Sequence, residues 1–233
     1  MVMLDGKNII VLDCETLRSA DDCRHCNVPL SQHYDDGACS PWTGEKPSPH
    51  ITQYAPIGWE NYAALGLSIG CLFSYRTMHY YFFDQHTLVR TMQHLLTAQP
   101  LIVSWNGRGF DGPLMFACAG DVVAAWAPDW AYLWEQSYDL LWEIWQVAPD
   151  DKFKSGLNSL GAVSMANGFG SKEMDGAMAP RLWAQARHAE VVNYNLGDVL
   201  KTRRLFERVV ETGEIVRGDG LPIRLPRPEI GSI

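Results

Sequence analysis

The sequence predicts an α/β domain built on a mixed sheet, and three observations carry that prediction. The apolar runs "IIVL" and "LIVSW" are short and continuous, as in strands buried on both faces. Two further strand-like stretches follow one another across a tight turn. Between and after them lie segments whose apolar residues recur at helical spacing. With 233 residues and 47% hydrophobic content, the chain can form one large domain with a real core, or a domain carrying a sizeable insertion.

Ile9 to Leu12 is the first strand. Residues 17–62 break the pattern: they are polar, with Cys, His, Gly and Pro scattered and no period. So long an aperiodic stretch inside a compact domain is normally functional or self-structured. Ala63 to Tyr75 and Met78 to Phe83 read as two strands. Asp84 suits the N-cap of a helix over 85–98, where Leu88, Met92, Leu95 and Leu96 share a face. "PLIVSW" is another buried strand, and "NGRGF" is a Gly-bearing loop. Asp111-Gly112-Pro113 opens a helix, because Pro fits the first helical turn. Residues 121–150 are Trp-rich, with "YDLLWEIWQVA" helical, and "SGLNSLGAVSMANG" is a helix closed by Gly168. The longest helix spans 188–212, buries Val192, Leu196, Val199, Phe206 and Val210, and ends at Gly213. The tail, 213–233, resembles a hairpin around Gly218-Asp219-Gly220.

Net charge is −8, unevenly spread: residues 1–180 carry 10 basic against 20 acidic side chains, and residues 181–233 carry 9 against 7. Such a chain does not hold duplex DNA by bulk electrostatics, which needs many Lys and Arg on phosphates. It can act on a few nucleotides if bound metal ions supply positive charge. No apolar run is long enough for a transmembrane helix. The N-terminus has no basic-then-apolar leader, so the expected compartment is cytoplasmic, in a bacterial or viral context.

Four carboxylates stand out: Asp13 and Glu15 in "IIVLDCET", Asp111 in "SWNGRGFDGPL", and Asp198 in "YNLGDVLKT". Asp13 and Glu15 are two apart on a strand, so both leave one face. If the "LIVSW" strand runs parallel to the first, its carboxyl end places Asp111 beside Asp13. Tyr194 and Asp198 are four apart on a helix and share a face. Gly197 beside them costs about 1 kcal/mol in mid-helix, and close approach of that helix to the sheet would explain it. Clustered carboxylates repel unless a cation joins them. Hard oxygen ligands favour Mg²⁺ or Mn²⁺, and a pair of such ions about 4 Å apart suits phosphodiester hydrolysis.

These words resemble the three motifs of the DEDD exonuclease superfamily. Asp-x-Glu follows an apolar strand; Asn106-Gly-x-x-Phe110-Asp111-x-Pro113-Leu114 and Tyr194-x-x-x-Asp198-Val come after it in order. Tyrosine at 194, with Asn193 where the histidine branch carries its base, is similar to the DEDDy branch. "YDLLWEIW" and "YNLGDVLKTRRLF" are similar to polymerase-B-type proofreading domains. The resemblance spans residues 7–16 and about 63–212. It implies a ribonuclease H-like mixed five-stranded sheet flanked by helices, in a domain of residues 1–16 and 63–212. It further implies that Asp13, Glu15, Asp111 and Asp198 bind two metal ions, and that Tyr194, helped by Glu15, orients the attacking water. Asn106, Phe110 and Leu17 would line the strand terminus, with Leu17 as a wedge. Arg108 is a candidate phosphate contact on the loop before Asp111. Singly, each of these residues has a plainer reading: Asp111 and Asp139 as helix caps, Phe110 and Leu17 as core, His188 and Lys201 as solvated helix residues.

The insertion carries three of the six cysteines. Cys23, Cys26, His33 and Cys39 give C-x₂-C-x₆-H-x₅-C, a set suited to one tetrahedral structural Zn²⁺ that would fold a segment with little core. His25 competes with His33, and unliganded cysteines are the alternative. Trp42, Tyr54 and Trp59 offer stacking surfaces. Cys14, Cys71 and Cys118 fall in strand or helix patterns, as buried inert thiols do.

The leading expectation is a metal-dependent 3′→5′ exonuclease acting on single-stranded DNA or RNA ends, with DNA favoured. A polymerase or replication protein could deliver the substrate. A non-catalytic binding module using the zinc insertion, and an endonuclease acting on hybrids, are the competing readings.

Overall fold

The computed structural model describes residues 4–22, 56–152, 154, 156–172 and 174–230. The four candidate zinc ligands, with His25, Trp42 and Tyr54, lie outside the described residues.

The first strand, β1 (Ile9–Thr16), occupies the centre of a five-stranded sheet. Its alternation decides which layer each side chain meets. Ile9 and Val11 enter one core cluster, and Ile10, Leu12 and Cys14 enter the other. β2 (Leu67–Ser74) pairs with β1 antiparallel, and β3 (His79–Phe83) pairs with β2 antiparallel. On the other side β4 (Leu101–Ser104) runs parallel to β1. β5 (Tyr138–Asp139) runs parallel to β4, giving the order β3-β2-β1-β4-β5. This mixed sheet, covered by helices, is the ribonuclease H-like fold that the motifs imply. β5, the fifth strand that the family resemblance implies, has no signal of its own in the sequence: two residues leave no alternation to detect, and their strand character comes from pairing with Val103 and Ser104.

Element boundaries moved where backbone conformation intervened. Ala63–Leu65 belongs to a helical turn, α1 (Tyr62–Leu65), which Gly66 ends at φ +67°. β3 starts at His79 because Met78 occupies the turn at φ +58°. Asp84 caps a turn rather than a helix, accepting from His86 and Thr87 backbone N–H groups at 3.0 Å; α2 (Leu88–Ala98) begins after it. The Trp-rich stretch resolves into α4 (Ala127–Glu135) and α5 (Leu140–Val147), preceded by α3 (Asp111–Ala119). α6 (Leu160–Ala166) and α7 (Ala179–Ala184) lead to α8 (His188–Thr212), which Gly213 closes at φ +73°. The tail hairpin is β6 (Glu214–Val216) against β7 (Pro222–Arg224).

α2, α3 and α4 cover one face of the sheet; α5, α6, α8 and the tail hairpin cover the other. The insertion leaves and rejoins the domain at one point, where Ile57 N–H donates to the Asp22 carbonyl at 2.9 Å and Gly58 N–H to Ala20 at 3.0 Å. Ala20 and Ile57 are core residues. The domain body thus claims residues 17–22 and 56–62, which the sequence reading assigned to the insertion.

Candidate active site

Asp13 and Glu15 continue the β1 face of Ile9 and Val11, the face against which α8 packs. α8 presents Tyr194, Asn195 and Asp198 to it, all buried. Val192 and Leu196, expected on the buried face, are only half-buried, because this part of the helix turns polar groups inward instead. Carboxylate oxygens of Asp13, Glu15 and Asp198 come within 4.8 Å of one another. Asn195 Nδ2 donates to Asp13 Oδ2 at 2.6 Å.

Asp111 reaches the same cavity from the opposite layer. It opens α3, is 2% exposed, and accepts the Cys14 N–H at 3.0 Å, which fastens it to the end of β1. It stands beside the triad rather than within it. The parallel pairing of β1 and β4 is what brings the two layers' acids together, at the carboxyl ends of adjacent strands.

Lys172 is the cation of this centre. Its ammonium lies 2.5 Å from Asp198 Oδ2 and donates to the Tyr194 hydroxyl at 2.8 Å. Gly161 on α6 makes room for it: a Cβ there would stand 3.1 Å from the Lys172 Cγ.

Burial is the first cause of every shift in this group. It raises Asp13 to about 7, with Asp198 adding to the rise while Lys172 and Asn195 oppose it. Glu15 is held well above the usual carboxylate range by burial, then by Asp13 and Asp198. Asp111 is raised by burial, then by Asp13 and Asp139. Burial works against the Lys172 charge, but Asp198, Tyr194 and Asp13 outweigh it, so its pKa is raised. Burial, then Asp198, raises the Tyr194 phenol against the opposing Lys172 charge, so the hydroxyl that accepts from Lys172 is neutral.

The donor set fits divalent cations. All candidate ligands are hard oxygens, their negative charges oppose one another, and Asp198 Oδ1 is buried without a hydrogen-bond partner among the described residues. Asp13, Glu15 and Asp198 can hold a metal ion.

The cavity, about 300 Å³, is also lined by Trp59, Asn106, Phe110 and Lys172. Phe110 packs edge-on to Trp59 at 6.3 Å and to Tyr62 at 5.9 Å. Leu17 is 42% exposed, beside Gly66. Arg108 points elsewhere: its guanidinium donates to the Ser137 hydroxyl at 3.2 Å and to the Ser137 carbonyl. It belongs to the wall of a second cavity and not of the acidic one, so the expected phosphate contact lacks geometric support. Asn193 is exposed, away from the acids.

Asp139 does more than cap α5. Besides the Leu141 and Trp142 N–H groups, it accepts from Asn106 N–H at 2.9 Å and Arg108 N–H at 3.0 Å, and so braces the loop leading to Asp111. Asn106 itself sits at φ +68°. Lys201 is buried and folds back onto the Gly197 carbonyl at 3.3 Å, rather than being solvated. A Cβ on Gly197 would lie 3.2 Å from that amine, so Gly197 makes room for Lys201 and not for the sheet. His188 is exposed and stacks on Trp183 at 4.2 Å. Cys14 and Cys71 are buried, and Cys118 is partly so.

Sequence reasoning missed Lys172 and Asn195. Asn195 was legible, since it lies three residues before Asp198 and so on the same helix face. Lys172 sits in an aperiodic loop that carries no such signal.

A mixed sheet in this order, with acids at the carboxyl ends of its central strands, is a ribonuclease H-like architecture, and its family supports a nucleic-acid-processing hydrolase at that coarse level. The chain belongs to the ribonuclease H superfamily: a family model described as RNase_H superfamily matches residues 66–210. That stretch contains Asp111, Tyr194 and Asp198; Asp13 and Glu15 precede it and join the site through sheet pairing. Among curated proteins, none matches the chain. Among the described residues no helix is long and apolar enough to cross a membrane.

Proposed function

We propose that this protein is a two-metal-ion 3′→5′ exonuclease that releases nucleoside 5′-monophosphates from single-stranded ends, DNA in preference to RNA. The observation that carries the proposal is the convergence of Asp13, Glu15 and Asp198 oxygens within 4.8 Å, with Asp111 on the same cavity. These four residues would hold Mg²⁺ or Mn²⁺, which supplies Lewis acidity and an acidified water when bound. Tyr194 and Glu15 orient the water. Lys172 fixes the phenol and Asp198 relative to each other. Asn106 and Phe110 line the place of the terminal nucleotide, Leu17 wedges against its base, and Trp59, 58% exposed at the cavity, widens the aromatic surface. A cavity of this size takes few nucleotides, in keeping with an acidic chain. A polymerase or replication protein would deliver the strand. Cys23, Cys26, His33 and Cys39 would bind one structural zinc in the insertion.

The test is a 5′-labelled single strand incubated with Mg²⁺ or Mn²⁺, with EDTA, and with Asp13→Ala and Asp198→Ala. A ladder shortening from the 3′ end and lost in all three controls is expected. A strand left whole at every metal concentration would sink the proposal in favour of a binding module, and internal fragments would indicate endonuclease action.

A further inference from the structure

The larger cavity, about 580 Å³, plays no part in the chemistry above. It lies on the other side of the Asn106–Asp111 loop. Asn106 lines both cavities; Asp111 faces the acids, while its neighbours Gly112 and Pro113 wall the larger space. Four tryptophans dominate that wall: Trp130 and Trp134, one helical turn apart on α4, and Trp142 and Trp145 on α5. Its volume is in the range of small-molecule and cofactor sites, about 300–1,000 Å³.

Trp142 sets this cavity apart from a packing defect. It is 37% exposed, and two cations stand over its ring, the Arg108 guanidinium and the Lys152 ammonium, each 5.8 Å from the centroid. Lys152 also lies 4.7 Å from the Trp145 ring. Trp130 and Trp134 are buried and form the floor, so the rings that reach the surface are Trp142 and the half-buried Trp145, both beside cations in a chain of net charge −8. The acidic groups near these cations are Glu135 on the wall, Asp139, which backbone N–H groups also engage, and Glu143 on α5; Arg108 acts on the latter two. Aromatic faces bordered by cations are what single-stranded nucleic acid recognises: bases stack and phosphates meet the charge, without regard to sequence.

We propose that the tryptophan cavity is a stacking site for the bases upstream of the cleaved linkage, in the strand whose 3′ end occupies the acidic cavity. The inference rests on the exonuclease reading for the strand's direction. Arg108, whose guanidinium Ser137 holds away from the acidic cavity, thereby acquires a different role: it tethers Trp142 to the loop that carries Asn106.

Equilibrium binding of oligothymidylates two to six nucleotides long, followed by tryptophan fluorescence and anisotropy with Ca²⁺ in place of Mg²⁺, tests the proposal. Wild-type affinity should climb with length until the strand reaches Trp142 and Trp145. In Trp142→Ala the climb should flatten, raising Kd for the hexamer at least about fivefold, the lower end of one lost base–aromatic stack. Trp142→Phe, which keeps a ring, should restore most of it, separating stacking from a folding defect. An unchanged length dependence in Trp142→Ala overturns the proposal and leaves the cavity to a protein partner. Loss of affinity in Trp142→Phe equal to that in Trp142→Ala also overturns it. These outcomes are independent of hydrolysis: a protein that cuts no strand yet shows the flattened climb keeps the stacking site and loses the exonuclease reading.

Discussion

Removing divalent metal should make the stability of this protein fall as pH rises through neutrality. Burial, then the neighbouring Asp198, lifts the Asp13 carboxyl from 3.8 to about 7, while Glu15 and Asp111 are raised too. A raised carboxyl binds its proton more tightly in the folded chain than in the unfolded one. The folded state therefore has its full stability below about pH 4 as far as this group is concerned, and loses it as pH climbs toward 7. Moving one carboxyl from 3.8 to about 7 corresponds to roughly 4 kcal/mol. That is a large part of the about 5–15 kcal/mol typical of a folded domain. Urea denaturation in EDTA between pH 5 and 8 should show the decline, Mg²⁺ should remove most of it by binding the ionised folded form, and Asp13→Asn should lessen it without metal, leaving the part due to Glu15 and Asp111. Carboxylates held low elsewhere, such as Asp84 and Asp151, are fully ionised across this window and do not contribute to the slope. Stability in EDTA that is level or rising from pH 5 to 7 would refute the reasoning.

Three further outcomes follow from the same geometry. Lys172→Met removes the partner of Asp198 and should destabilise the metal-free protein by roughly 1–3 kcal/mol, less than a fully buried pair because the lysine is 31% exposed, with Mg²⁺ restoring most of the loss in thermal melts. Asp139→Ala orphans four backbone donors and should cost about 2–4 kcal/mol in urea denaturation; it should also lower the hydrolytic rate by loosening the loop before Asp111. For the insertion, elemental analysis should find one zinc per chain, and none in a Cys23→Ser/Cys26→Ser variant.

The sequence by itself determined the carrier elements and most of the acids. Period-two alternation in β1 sends Asp13 and Glu15 to one face, and the turn before Pro113 opens α3 on Asp111. Helical spacing puts Tyr194 on one face with Asp198. Each of these is a local rule, readable within a few residues. What required the tertiary structure was everything set by contact between distant segments. β5 exists only because Val103 and Ser104 pair with it. Arg108 turns away from the acids because Ser137 accepts from its guanidinium. Lys172 joins the centre because an aperiodic loop packs against α6 and α8, where Asp198 charge attracts it. The inward rotation of polar residues on α8 likewise reflects the acids waiting on β1: their charge needs hydrogen-bond partners such as Asn195, and a purely apolar helix face would have left the half-buried Asp13 without that one.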